Sequence, residues 1–254
     1  MTIRQQVQSF ADSTLYAYST SDMVSQGIVL LLILLSAYAW TIMAEKAVSL
    51  ARVRSSCRKF LDEFEPADSV LELALRERDF GGPLAEAYYA ALSEIMNVLG
   101  VTAQEVDLYC RQLLLPRLLS DSEVEKVKSV VERVLSRQNL LIEERLGALG
   151  TIVTLAPFLG LLGTVWGLMI AFVGMAQQGR ADLVSLAPGV CGALLTTVVG
   201  LVVAIPSVVG LNAILNTVKR ANVEMDNFIE DFVAKLRLHK TGSLAAANPA
   251  AGAR

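Results

Sequence analysis

Three stretches of the chain contain no Asp, Glu, Lys, Arg or His: Met23 to Ala44, Leu146 to Gly179 and Leu183 to Val218. Each is at least as long as the roughly 20 apolar residues that cross a bilayer as a helix. The pattern therefore predicts an all-α integral membrane protein with three transmembrane helices. Only Arg180 and Asp182 interrupt the last two runs, which predicts a transmembrane hairpin with a short turn. Small residues recur at intervals of three and four along both arms. Gly160, Gly163, Gly167, Ala171 and Gly174 share one face of the first, and Gly189, Ala193, Thr196, Gly200, Ala204 and Ser207 share one face of the second. Lipid tails give helices no hydrophobic reason to associate, so such faces are where membrane helices approach closely. Thr164 and Thr197 add hydroxyls at membrane depth, and a hydroxyl bonded one turn back along its own helix is the plain alternative to a functional role.

Between the first span and the hairpin, charged and apolar residues alternate at helical spacing, punctuated at Pro66, Gly81-Gly82-Pro83, Gly100 and Pro116. The spacing predicts helices over 67–79, 84–99 and 102–145. Thr102 with Glu105 forms a capping-box pattern at the start of the last. Val124, Val127, Val131 and Val134 make a stripe that suits packing better than binding. With no breaker before Leu146, the second transmembrane helix is expected to project into the cytoplasm. Beyond the third span, Leu211, Leu215, Val218, Asn222, Met225, Ile229, Phe232 and Leu236 alternate by four and three. That spacing fits a coiled-coil seam with one polar position, or equally an amphipathic helix lying on its own cytoplasmic domain.

Charge sets the expected orientation. Lys46, Arg52, Arg54, Arg58 and Lys59 follow the first span, and Lys219 and Arg220 follow the third, whereas only Arg4 and Arg180 would lie on the other side. The positive-inside rule then places the termini N-out and C-in. The expected organisation is a periplasmic N-terminus at 1–22 and transmembrane helix 1 at 23–44, followed by a helical cytoplasmic domain at 45–145. Transmembrane helices 2 and 3 follow at 146–179 and 183–218, then a cytoplasmic helix at 219–240 and a disordered tail at 241–254. The N-terminus lacks the basic start and cleavage site of a signal peptide, so the first span is expected to be retained as an anchor.

Composition narrows the function. A formal net charge of −3 argues against a nucleic-acid role, and 54% apolar content agrees with a membrane protein. Cys57, Cys110 and Cys191 are too widely spaced for a metal site and are read as reduced thiols. The single histidine, His239, sits among Lys235, Arg237 and Lys240 as a solvated tail residue. No phosphate loop or nucleophile-base pair is present, so neither an enzyme nor a bound cofactor or metal is expected.

Two long runs, LAPFLGLLGTVWGLMIAF from Leu155 to Phe172 and LAPGVCGALLTTVVGLVVAIPSVVGLN from Leu186 to Asn212, resemble the signatures of the TolQ/ExbB family of proton-channel subunits, with MotA a more distant relative. The large loop after the first span and MDNFIEDF, Met225 to Phe232, match as well. DNF at Asp226 to Phe228 is more similar to TolQ than to ExbB. The resemblance implies a homopentamer in the bacterial inner membrane around the helices of a TolR- or ExbD-like dimer, converting ion motive force into work on the cell envelope. It implies that Thr164 and Thr197 line the ion path; Thr196, about 100° from Thr197 on the same helix, is then expected to face a neighbouring helix. One position departs from the family. A Glu usually stands five residues before the second Thr, and here that residue is Gly192. The partner's intramembrane Asp must then supply the carboxylate, or the hydroxyls of Thr164, Thr196 and Thr197 could serve a sodium ion. A Tol-Pal type motor is the favoured expectation and TonB-type transport the next. A non-conducting scaffold and a gliding-motility stator are the alternatives.

Overall fold

The computed structural model describes residues 14, 16–19, 21–75, 80–101, 103–178 and 183–238. The Arg180–Asp182 break, Thr102 of the expected capping box, His239 and the tail at 241–254 lie outside them. All regular structure among the described residues is helical: α1 (Met23–Phe64), a 3₁₀ turn (Glu72–Leu75), α2 (Pro83–Leu99), α3 (Ala103–Gln112), α4 (Asp121–Glu143), α5 (Leu146–Gln178) and α6 (Leu183–Arg237). Three of the helical stretches are long and apolar enough to cross a membrane, and the protein is an all-α membrane protein. It divides into two compact units, Met1–Lys46 with Arg145–Leu215, and Ala47–Glu144 with Asn216–Arg254. Helices α1 and α6 each contribute to both.

In the first unit, α5 and α6 pack through their small residues and leave large apolar side chains such as Phe158, Val165, Val202 and Val209 exposed. An apolar face of that extent belongs against lipid or a partner helix. Two polar contacts join α1 and its N-cap to α5 and the residue before it. Arg145, immediately before α5, pairs with Glu45 at 2.7 Å. At the other end Trp166 Nε1 donates to Asp22 Oδ2 at 3.1 Å. Roughly 21 residues separate Arg145 from Trp166, about 32 Å at 1.5 Å per residue, which matches the hydrocarbon thickness of a bilayer. Between those contacts the helices present only uncharged side chains.

The second unit is built around an aromatic cluster. Phe60 and Phe64 at the end of α1 meet Tyr88 of α2 and Phe228 and Phe232 of α6, with ring centroids 5.1–6.3 Å apart. The Tyr88 hydroxyl donates to the Val70 carbonyl at 2.6 Å, which satisfies the polar end of a fully buried ring. Helix α4 turns Val124, Val127 and Val131 inwards and packs against α2. Val218, Met225, Ile229, Phe232 and Leu236 are buried within the chain. The four-three pattern of α6 is therefore the inner face of an amphipathic helix in its own domain, not a coiled-coil seam. Leu215 is an exception, at 44% exposed. Asn222 keeps a buried side-chain oxygen without a hydrogen-bond partner.

Three expected boundaries are corrected. The stretch at 67–79 is a turn followed by the 3₁₀ segment Glu72–Leu75 and not an α-helix, with 76–79 outside the described residues. The single helix expected over 102–145 is two. Leu113 takes a left-handed φ of 53°, and Pro116 lacks an N–H and disfavours helix in the residue before it. A new helix then starts at Ser120, whose hydroxyl accepts from the Glu123 backbone while the Glu123 carboxylate accepts from the Ser120 backbone at 2.8 Å. The capping box that nucleates this helix is therefore Ser120 with Glu123. Finally, the chain breaks before Leu146. Arg145 has φ of 65°, a conformation uncommon for a non-glycine residue. Its guanidinium pairs with Glu45.

Candidate functional site

The site is built where α5 and α6 touch. At five glycines of the facing surfaces an added side chain would be crowded by the opposite helix. A Cβ at Gly163 would lie 2.6 Å from Thr196 Cβ, one at Gly167 2.7 Å from Ala193 Cβ, and one at Gly200 2.6 Å from the Ala156 carbonyl oxygen. A Cβ at Gly160 would lie 3.0 Å from the backbone of Thr196 and Thr197, and one at Gly189 3.0 Å from Ala171 Cβ. Gly174, on the expected face, has nothing within 4 Å. The tight approach ends before it.

This closeness brings three hydroxyls around one carbonyl. Thr164 and Thr197, from opposite helices, are in direct hydroxyl-hydroxyl contact. Thr197 Oγ1 donates to the Gly160 carbonyl at 3.0 Å, and Thr164 Oγ1 lies 3.2 Å from both the Gly160 and Ala193 carbonyls. Thr196 is fully buried and lies within hydrogen-bond distance of Ala193 O at 2.7 Å and Gly160 O at 3.1 Å. The neighbour of Thr196 is thus α5 of the same chain. Thr164 and Thr197 are only half-buried at the edge of the seam. Two hydroxyls and two carbonyls converging there form an oxygen-rich spot in an apolar hairpin, able to hand on a proton or contribute ligands to a hard cation.

Gly192, next to Ala193, faces Ser21 and not the threonine pair. It is buried, and a Cβ added there would sit 3.1 Å from Ser21 Cβ and 3.3 Å from Ser21 Cα. Ser21 thus fills the place a side chain at 192 would need. Its neighbour Asp22 caps α1. The carboxylate accepts from the Val24 and Ser25 backbone at 3.0 and 3.2 Å and from the Ser25 hydroxyl at 2.6 Å, besides Trp166 Nε1. Sequence reasoning did not single out Ser21, Asp22 or Trp166. The available signal was Asp22 as an N-cap residue immediately before an apolar helix. Its partner, 144 positions away, leaves no local trace. No group of three His, Cys, Asp or Glu that could hold a metal ion occurs among the described residues.

A profile of the MotA/TolQ/ExbB proton channel family matches residues 92–227. The chain is 26% identical over 229 residues to the Tol-Pal system protein TolQ of Haemophilus influenzae, covering 87% of this chain and 92% of that protein. It is 31% identical over 204 residues to the biopolymer transport protein ExbB of Salmonella typhimurium, covering 77% and 74%. Against the TolQ of Pseudomonas aeruginosa the identity is 29% over 201 residues, covering 76% and 79%.

Proposed function

We propose, because this chain belongs to the MotA/TolQ/ExbB proton channel family, that it is the ion-pathway subunit of an inner-membrane motor of the Tol or Ton type. The observation that carries the reading is the contact between the Thr164 and Thr197 hydroxyls, beside the Gly160 and Ala193 carbonyls, in a hairpin whose two arms carry no Asp, Glu, Lys, Arg or His. In this reading the subunit is a homopentamer around a TolR- or ExbD-like dimer, N-terminus periplasmic and C-terminus cytoplasmic. The dimer contributes an intramembrane Asp opposite the threonine pair. Each elementary charge crossing 100 mV releases about 2.3 kcal/mol, so a few ions can drive a conformational step. A Tol-Pal type role in envelope constriction is favoured over TonB-type transport by the DNF at Asp226 to Phe228.

A second reading is a non-conducting scaffold. It is favoured by one specific observation: all three hydroxyls already have carbonyl partners within the chain.

The experiment is to co-purify the complex with its partner and determine its stoichiometry by native mass spectrometry. Proton and sodium flux are then measured in proteoliposomes for wild type and for the Thr164→Val, Thr197→Val double variant. Valine keeps the shape and the glycine contacts of the seam, so the pentamer should persist while flux falls at least tenfold. Full flux in the double variant would refute the pathway assignment. A complex that conducts neither ion even as wild type would favour the scaffold.

A further inference from the structure

We infer that Asp22 is the fixed anionic group at the outer mouth of this subunit's ion path, where it concentrates cations for the Thr164–Thr197 pair. The inference rests on the conduction reading above.

Four observations support it. The hairpin from Leu146 to Val218 supplies no acid outside its turn, and Asp22 is the carboxylate that hydrogen-bonds to α5 among the described residues. Its contact, Trp166, stands two residues beyond Thr164, about 3 Å further along the helix axis. Its neighbour Ser21 packs on Gly192, five residues before Thr197 and about 7.5 Å along α6. The Asp22–Trp166 contact also sits about 32 Å from the Arg145–Glu45 pair. Asp22 is thus at the hydrocarbon boundary opposite the basic flank, with the threonine pair just inside it.

The charge state follows from the donors. Among the described residues, the four groups that hydrogen-bond to the carboxylate are all N–H or O–H donors, two from the backbone, one from Ser25 Oγ and one from the Trp166 indole. Donors hold a carboxylate in its ionised form. No cation neutralises it within ion-pair distance among the described residues. A negative charge with no counter-ion among the described residues, set at the end of an apolar span, raises the local cation concentration. Repetition around a ring multiplies the effect. Helix capping is the competing role, and the two are separable because Asn caps a helix as well as Asp does.

The test compares wild type, Asp22→Asn and Asp22→Glu in the complete complex with its partner. Proton flux is followed by a pH-sensitive dye and sodium flux by isotope uptake, each at about 20 mM and about 500 mM salt. Screening lengths at these strengths are about 20 Å and about 4 Å. At low salt Asp22→Asn should lose about three- to tenfold in flux, and at high salt less than about twofold. Its thermal midpoint should be unchanged, and Asp22→Glu should keep most of the flux. A purely capping role would leave any loss independent of salt. Wild-type flux in Asp22→Asn at low salt, or a loss that salt does not relieve, overturns the inference while leaving conduction intact. No flux in wild type overturns both readings. If Asp22→Asn does not assemble, Asp22→Ser, which caps through its hydroxyl, is measured against the same two outcomes.

Discussion

Lys235 ends a helix it is not part of. Helix α1 stops at Phe64 with its last carbonyls lacking intrahelical donors. The Lys235 ammonium donates to the carbonyls of Phe64 at 2.6 Å, Glu65 at 3.0 Å and Ala67 at 2.6 Å, and lies 4.5 Å from the Phe64 ring centroid. A cation there also meets the negative end of the helix dipole. Lys235→Met keeps the aliphatic stem and removes every donor, so it should cost about 2 kcal/mol, measured as a lowered urea midpoint in detergent. Glu123 gives a prediction in pH. The Arg117 guanidinium, followed by the Ser120 backbone N–H, holds its carboxyl at about 2, against an ordinary 4.5. A lowered acid stabilises the fold above its unfolded value, and that contribution is lost as pH falls towards the folded one. The thermal-midpoint gap between wild type and Glu123→Gln should therefore be full above about pH 4.5 and close as pH approaches 2. A gap that stayed constant down to pH 2 would mean that the capping box contributes nothing through its charge.

At the scale of elements, the α5–α6 hairpin stands on how close two backbones can come. Gly163 and Gly174 are both glycines on the same expected stripe, yet only the first is hemmed in. Gly163→Ala must push Thr196 aside and should cost about 1–3 kcal/mol. Gly174→Ala, with open space around it, should be neutral or slightly stabilising through better helix propensity. Thermal unfolding of the two variants in the same detergent checks the contrast, and equal midpoints would remove the steric account of the seam. The breaks at Leu113 and Arg145 divide what periodicity alone joins, because apolar spacing continues in register through 102–145 and on into α5. Hydrophobic period reports which face is buried. It says nothing about a residue whose φ has turned positive, as at Leu113 and Arg145.

For the whole molecule, orientation is the property to test, and the natural cysteines are poor reporters. Cys57 and Cys110 are buried, and burial pushes the Cys57 thiol up to about 11, so neither should react with a thiol reagent from either side while the protein is folded. Exposed positions serve better. In a Cys191→Ser background, Met23→Cys should react with a membrane-impermeant reagent in intact cells, and Lys59→Cys only after permeabilisation. The reverse pattern would invert the topology. What the sequence by itself determined is local in origin. Three charge-free runs, the small-residue stripe from Gly160 to Gly167 and its counterpart at Ala193 to Gly200, and the inward face of α6 follow from spacing and composition alone. Tertiary structure decided whatever depends on two distant segments meeting. The buried face of α6 pairs with Phe60 and Phe64 of its own chain and not with a second helix like itself. The chain breaks at Arg145, which pairs with Glu45. Thr196 is sealed against Gly160 while Thr197 stays at the edge. Asp22, an ordinary N-cap in the sequence, reaches Trp166 across 144 positions. Periodicity fixes the direction in which a side chain points, and only the packed structure supplies what it points at.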